Sequence, residues 1–191
     1  MAQISCSFFS YSISGMVDLE VIIPSCTYND WQSGRKTNHS MQEKYPVLYL
    51  LHGYSNSNKS YLYYSGIVRY AEERRIAVVM PSVGNKAYMN SVYGENYFDY
   101  ISKELPEFVT SYFPISSRPE DTFIAGISMG GYGALVHGLS HPEMYAAIGA
   151  FSPAIHMDQI GISHEFPHLE DVGELLMNRS AEKLPEIYIF V

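Results

Sequence analysis

Basic residues are scarce in this 191-residue chain: 12 Lys and Arg stand against 20 Asp and Glu, a formal net charge of −8. A nucleic-acid surface needs clustered Lys and Arg, so the balance argues against that class of partner. Cysteine is scarcer still, with only Cys6 and Cys26. Two are too few for a disulfide framework. If the first two strands pair symmetrically about Ser14-Gly15, Cys6 falls opposite about residue 23 rather than Cys26, so no bridge is expected. Free thiols fit a reducing compartment. Long apolar runs are missing too. No stretch approaches the ~18–20 apolar residues of a membrane span. The first nine residues, Met1 to Phe9, contain no basic residue and read as no signal peptide. The expectation is a soluble cytoplasmic protein without a membrane partner. Tryptophan occurs once; Trp31 reads as a packing anchor.

Apolar residues are plentiful. At 47% hydrophobic and 17% charged, the composition is that of a folded chain, and 191 residues suit one domain spanning 1–191. Residues 3–13 and 16–23 read as an antiparallel hairpin. In its second strand Val17, Leu19, Val21 and Ile23 share one face, and Asp18 and Glu20 the other. Residues 25–44 are polar and turn-rich, hence a surface loop. Pro46 to Leu51 and Ile76 to Met80 are continuous apolar runs, the mark of strands buried on both faces. A helical pattern with Ile67, Val68 and Ala71 lies between them. Residues 96–113 read as an amphipathic helix kinked or broken at Pro106. Strands at 121–126, 145–151 and 184–191 alternate with helices at 129–140 and 169–178. The fold class is therefore α/β, a mostly parallel sheet with helices on both faces and the antiparallel hairpin at one edge.

One stretch carries chemistry. In Gly126-Ile127-Ser128-Met129-Gly130 a serine sits between an apolar strand and a helix. A serine on so tight a turn takes strained backbone angles, and side chains two residues either side would collide, which accounts for Gly126 and Gly130. Ser128 is the candidate nucleophile. Acyl transfer through it also needs N–H donors for the developing oxyanion. The Met129 N–H supplies one. The loop His52-Gly53-Tyr54 follows an earlier strand and supplies the other, with Tyr54 N–H preferred and Gly53 N–H next. His52 itself reads as a loop-holding residue rather than a catalytic one. The loop from Ser82 to Gly94 carries Tyr88, Asn90 and Tyr93; the tyrosines of the 82–97 loop either rim an acyl or alcohol pocket or pack, and packing is preferred.

Leu50-Leu51-His52-Gly53-Tyr54-Ser55 together with Gly126-Ile127-Ser128-Met129-Gly130-Gly131-Tyr132-Gly133-Ala134 resembles the α/β-hydrolase fold. More narrowly it is similar to the tributyrin esterase, esterase D and S-formylglutathione hydrolase group, with the bacterial tributyrin esterase type nearest. The stretches Ala77 to Pro81, Tyr97 to Pro106 and Phe151 to Ala154 extend the likeness over nearly the whole chain. The resemblance implies hydrolysis of short-chain acyl esters, a small-molecule ester as partner, and no cofactor or metal. A homo-oligomer is compatible with everything in the sequence. The family's chain order is serine, acid, histidine, with the acid after a late strand of the kind ending at Val191. The resemblance thus implies a domain incomplete at its C-terminus, lacking a final strand and helix together with the acid and histidine. An improvised pair would have to come from Asp158 or Asp171 and from His137, His141, His156, His164 or His168. His156 and Asp158 are the best placed of these. His137 and His141 are expected to point away from the serine. Two other readings stay open: a catalytically inactive hydrolase-fold binding or interaction protein, and an esterase acting on S-formylglutathione, feruloyl esters or acetylated sugars.

Overall fold

The computed structural model describes residues 1–34, 44–157, 164–166, 169–178 and 184–191. The apolar runs become the strands of one sheet: β1 (Ala2–Ser10), β2 (Gly15–Ile23), β3 (Val47–Leu51), β4 (Ala77–Pro81), β5 (Thr122–Ile127), β6 (Ala147–Phe151) and β7 (Glu186–Phe190). Their order is β1-β2-β4-β3-β5-β6-β7. The hairpin β1-β2 lies at one edge and joins β4 antiparallel, and every pairing from β4 to β7 is parallel. Among the described residues seven α-helices connect the strands: α1 (Tyr28–Gln32), α2 (Ser60–Tyr64), α3 (Ile67–Arg74), α4 (Tyr97–Asp99), α5 (Leu105–Tyr112), α6 (Met129–Ser140) and α7 (Val172–Met177).

Strand alternation divides the interior into two cores. Val47, Tyr49 and Leu51 of β3 join Val79 of β4, Leu105 and Val109 of α5 and most of α6 on one face. Leu50 of β3, Val78 and Met80 of β4 and Ala71 of α3 pack on the other. Eleven of the twelve residues of α6 are buried, so this helix behaves as core rather than as an amphipathic surface element. The face carrying α2 and α3 is only partly roofed. An open apolar groove of about 380 Å³ runs over Leu48, Leu50, Tyr61, Gly149, Phe151 and Phe190. At the sheet edge, Tyr188, Ile189 and Phe190 of β7 are each about half exposed.

Several expectations need correction. The hairpin turns at Tyr11–Ser14, so Cys6 stands opposite Leu19 and not opposite residue 23; both cysteines are free, as expected. Residues 28–32 form a helix within the expected surface loop. It is nucleated by a capping box in which Thr27 accepts from the Asp30 N–H and the Asp30 carboxylate accepts from the Thr27 N–H. Residues 35–43 of that loop lie outside the described residues. Trp31 is 63% exposed and meets the Tyr28 ring, so it is no core anchor. Glu20, on the polar face of the half-buried strand, is buried. It accepts from the Ser5 hydroxyl at 2.7 Å and lies 3.8 Å from the Lys59 ammonium. In place of a break at Pro106, the helical backbone continues from α4 into α5 through a π turn over Tyr100–Glu104, and Pro106 follows that turn. Glu104 in that turn is buried and accepts from the Ser10 hydroxyl and from the N–H groups of Tyr11 and Ser12. It thereby pins the hairpin tip to the helix.

Candidate active site

Ser128 links β5 directly to α6 with φ 55° and ψ −115°. That is a left-handed conformation disfavoured for any residue with a Cβ, and such strain costs ~1–3 kcal/mol. The surroundings enforce it. The Ser128 N–H donates to Phe151 O at 2.9 Å, and its carbonyl accepts from the N–H groups of Tyr132 and Ala154, each at 3.0 Å. The flanking glycines are required by contact. A Cβ on Gly126 would stand 2.3 Å from Gly130 O, and one on Gly130 would stand 2.1 Å from Leu51 O. Ser128 is partly exposed, and its hydroxyl has no hydrogen-bond partner among the described residues.

The loop His52-Gly53-Tyr54 leaves β3 beside this turn. β3 and β5 run parallel with Leu51 opposite Gly126, and a Cβ on Gly53 would lie 3.4 Å from Ile127 O. Among the described residues neither the Tyr54 N–H nor the Met129 N–H has an acceptor. Two donors are therefore left free on the two chain segments that flank the serine. Tyr54 has a half-exposed side chain, and that of Met129 is buried.

His52 is buried, and both its ring nitrogens are committed. Nε2 accepts from the Val83 N–H at 3.2 Å, so Nδ1 carries the proton and donates to Gly53 O at 2.8 Å. Burial lowers its pKa, and the bond to Gly53 O only partly offsets this. The ring holds the loop and is not available as a base. Tyr88 is fully buried and donates its hydroxyl to His52 O at 2.8 Å. Asn90 caps the start of α4, its side-chain oxygen accepting from the Phe98 and Asp99 N–H groups. Tyr93 is exposed. Packing is thus the role of Tyr88.

The later histidines and acids do not assemble a base at Ser128 within the described residues. His137 is buried, donates from Nε2 to Tyr88 O at 3.0 Å and stacks on Phe98; burial lowers its pKa to about 4. His141 caps the far end of α6 and lies 3.3 Å from Glu143. Asp171 caps α7 by accepting from the Glu174 N–H. His156 and His164 are exposed in the segment after β6. Asp158 and His168 lie outside the described residues. No group of three His, Cys, Asp or Glu side chains among the described residues could hold a metal. No sequence signal marks the contacts of Asn85, which accepts from the Ser55 N–H at 2.7 Å, or of Lys86, whose ammonium lies 2.7 Å from both Glu95 and Glu165. The carboxylates of Glu165 and Glu95 hold the Lys86 pKa above its ordinary value.

A parallel sheet with an antiparallel edge hairpin, and a strained serine turning directly from β5 into α6, define a chain of the α/β-hydrolase type. Residues 36–181 match the family described as "Putative esterase", and the chain belongs to that family. An acetyl esterase from Caldicellulosiruptor saccharolyticus is 39% identical over 126 residues, 65% of this chain and 47% of that protein. The chain thus spans about half the length of this curated relative. Among solved structures, the fluorophosphonate-binding serine hydrolase FphF of Staphylococcus aureus superposes with a TM-score of 0.85 at 31% identity, over 98% of this chain and 78% of that one. An S-formylglutathione hydrolase from Staphylococcus aureus does so with a TM-score of 0.81 at 32% identity, with the same coverage. No helix among the described residues is long and apolar enough to cross a membrane.

Proposed function

We propose that the protein is a serine carboxylesterase that hydrolyses short-chain acyl esters through an acyl-enzyme on Ser128. The Ser128 oxygen adds to the ester carbonyl, and the Met129 and Tyr54 N–H groups receive the oxyanion. The alcohol leaves with a proton, and water releases the acid from the serine. The observation that carries this reading is the strained, partly exposed Ser128 with an unpaired N–H on each of the two segments beside it. The names of the relatives, an acetyl esterase and an S-formylglutathione hydrolase, favour a small acyl group. In this proposal the histidine and acid follow β7 in a longer chain, as the family order implies, and the enzyme works in the cytoplasm.

The test is turnover of a short nitrophenyl ester by the chain carrying whatever follows Val191 in its reading frame. Rapid cleavage that Ser128→Ala abolishes is expected; cleavage that survives Ser128→Ala sinks the proposal. The Ser128 hydroxyl, without a partner among the described residues, favours a second reading, a non-catalytic binding protein on this scaffold. Stoichiometric labelling of Ser128 in the 191-residue chain by a fluorophosphonate would reject that second reading.

A further inference from the structure

The segment 83–88 lies behind the loop that carries Tyr54 and ties it at three points. The Val83 N–H holds the His52 ring, the Tyr88 hydroxyl holds His52 O, and Asn85 Oδ1 holds the Ser55 N–H. Within the loop, Gly53 O is clamped by His52 Nδ1–H at 2.8 Å and by the Asn56 N–H at 3.3 Å. A peptide is planar and trans, so fixing the Gly53 carbonyl also fixes the direction of the Tyr54 N–H on the same plane. The peptides on either side are fixed as well: the carbonyl of His52 by Tyr88 and the N–H of Ser55 by Asn85.

Tyr88 reaches α6 by two further contacts. Its carbonyl accepts from His137 Nε2 at 3.0 Å, and its ring lies where a Cβ on Gly133 would stand 2.7 Å from Tyr88 Cδ2. The helix that presents the Met129 N–H and the loop that presents the Tyr54 N–H are therefore both attached to one residue, the loop through the Tyr88 hydroxyl and the helix through the Tyr88 carbonyl and ring. The segment takes strained geometry to do so. Ala87 and Tyr88 have φ of 52° and 61°, and Ser55, bound by Asn85, has 59°. Strain of this kind persists only where surrounding contacts over-determine it. Lys86, between Glu95 and Glu165, anchors the same segment at its outer end.

We propose that Tyr88 and Asn85 are positioning residues that hold the two N–H donors flanking Ser128 at a fixed separation and direction, with Tyr88 as the spacer between α6 and the Tyr54 loop. The inference rests on the serine esterase reading above. Neither side chain touches the reacting atoms; both act through the Gly53–Tyr54 peptide. Small displacements of such donors cost large factors in rate.

The experiment uses the full-length chain and three variants: Tyr88→Phe, which keeps the ring and removes one bond, Asn85→Ala at an exposed site that leaves the core untouched, and the double variant. Each single change is expected to lower kcat on a short nitrophenyl ester about 10-fold, and the double change about 100-fold, with KM unchanged. Affinity for a trifluoromethyl ketone, whose serine adduct carries an oxyanion, should fall by the same factors. A merely structural role would lower the thermal midpoint while leaving kcat and ketone affinity intact below the melting range, and that outcome overturns the inference. Ser128→Ala separates the two levels. If turnover survives it, the serine reading fails and this inference with it. If turnover is lost there but unchanged in the Tyr88 and Asn85 variants, this inference alone fails.

Discussion

Replacing Ser128 by glycine should stabilise the protein relative to replacing it by alanine. Ser128 sits at φ 55° and ψ −115°, and alanine at that position keeps the same Cβ and the same strain. Glycine tolerates these angles and releases ~1–3 kcal/mol of it. Against this stands the extra freedom glycine gives the unfolded chain, ~0.4–1 kcal/mol. The hydroxyl has no partner among the described residues, so removing it leaves no buried group unpaired and the two variants differ mainly in backbone. The balance favours glycine by about 1 kcal/mol, and in a chain of this length that raises the thermal midpoint by about 2–4 °C. Paired thermal scans of Ser128→Ala and Ser128→Gly give the number directly. A glycine variant that melts below the alanine variant would refute the idea that the turn stores strain at the serine.

Other consequences follow from the same geometry. Gly130→Ala places a Cβ 2.1 Å from a backbone carbonyl that cannot rotate away; a loss of at least ~3 kcal/mol is expected in urea unfolding, far more than alanine costs at an exposed position. His137 has a folded pKa of about 4 against an ordinary 6.5, so the stability tied to its neutral form is fully present above pH 6.5 and is lost as pH falls toward 4. The loss amounts to about 3 kcal/mol. His137→Gln, whose amide can still donate to Tyr88 O, should flatten unfolding free energy over that pH window. Ile189→Lys on the half-exposed β7 edge should reduce concentration-dependent association of the 191-residue chain in sedimentation velocity.

The sheet was legible because its signals are local. Apolar runs without alternation marked β3, β4 and β5, and the alternating Val17, Leu19, Val21 and Ile23 marked β2. The turn at Ser128 was legible for a different reason: two glycines at fixed offsets from a serine reflect a collision that only that turn produces, and contacts of 2.1–2.3 Å at their absent Cβ positions bear this out. Register was harder to read, since Cys6 pairs with Leu19 only because the hairpin turn takes four residues. Burial of Glu20 depends on Ser5 of β1 and on Lys59, just before α2, which only the fold brings to it. The support of the Tyr54 loop was invisible for the same reason. Asn85 and Tyr88 look like ordinary loop residues until the fold brings them, some thirty positions on, behind His52 and Ser55.

The proposed esterase chemistry depends most on Ser128 forming the covalent bond. Rapid quench of the full-length chain with a short nitrophenyl ester, followed by mass analysis of the peptide containing Ser128, tests this directly. A transient acyl mass on Ser128 that appears with the first burst of nitrophenol and disappears as substrate runs out is the expected result. Steady turnover with the acyl group on another residue, or on none, would contradict it.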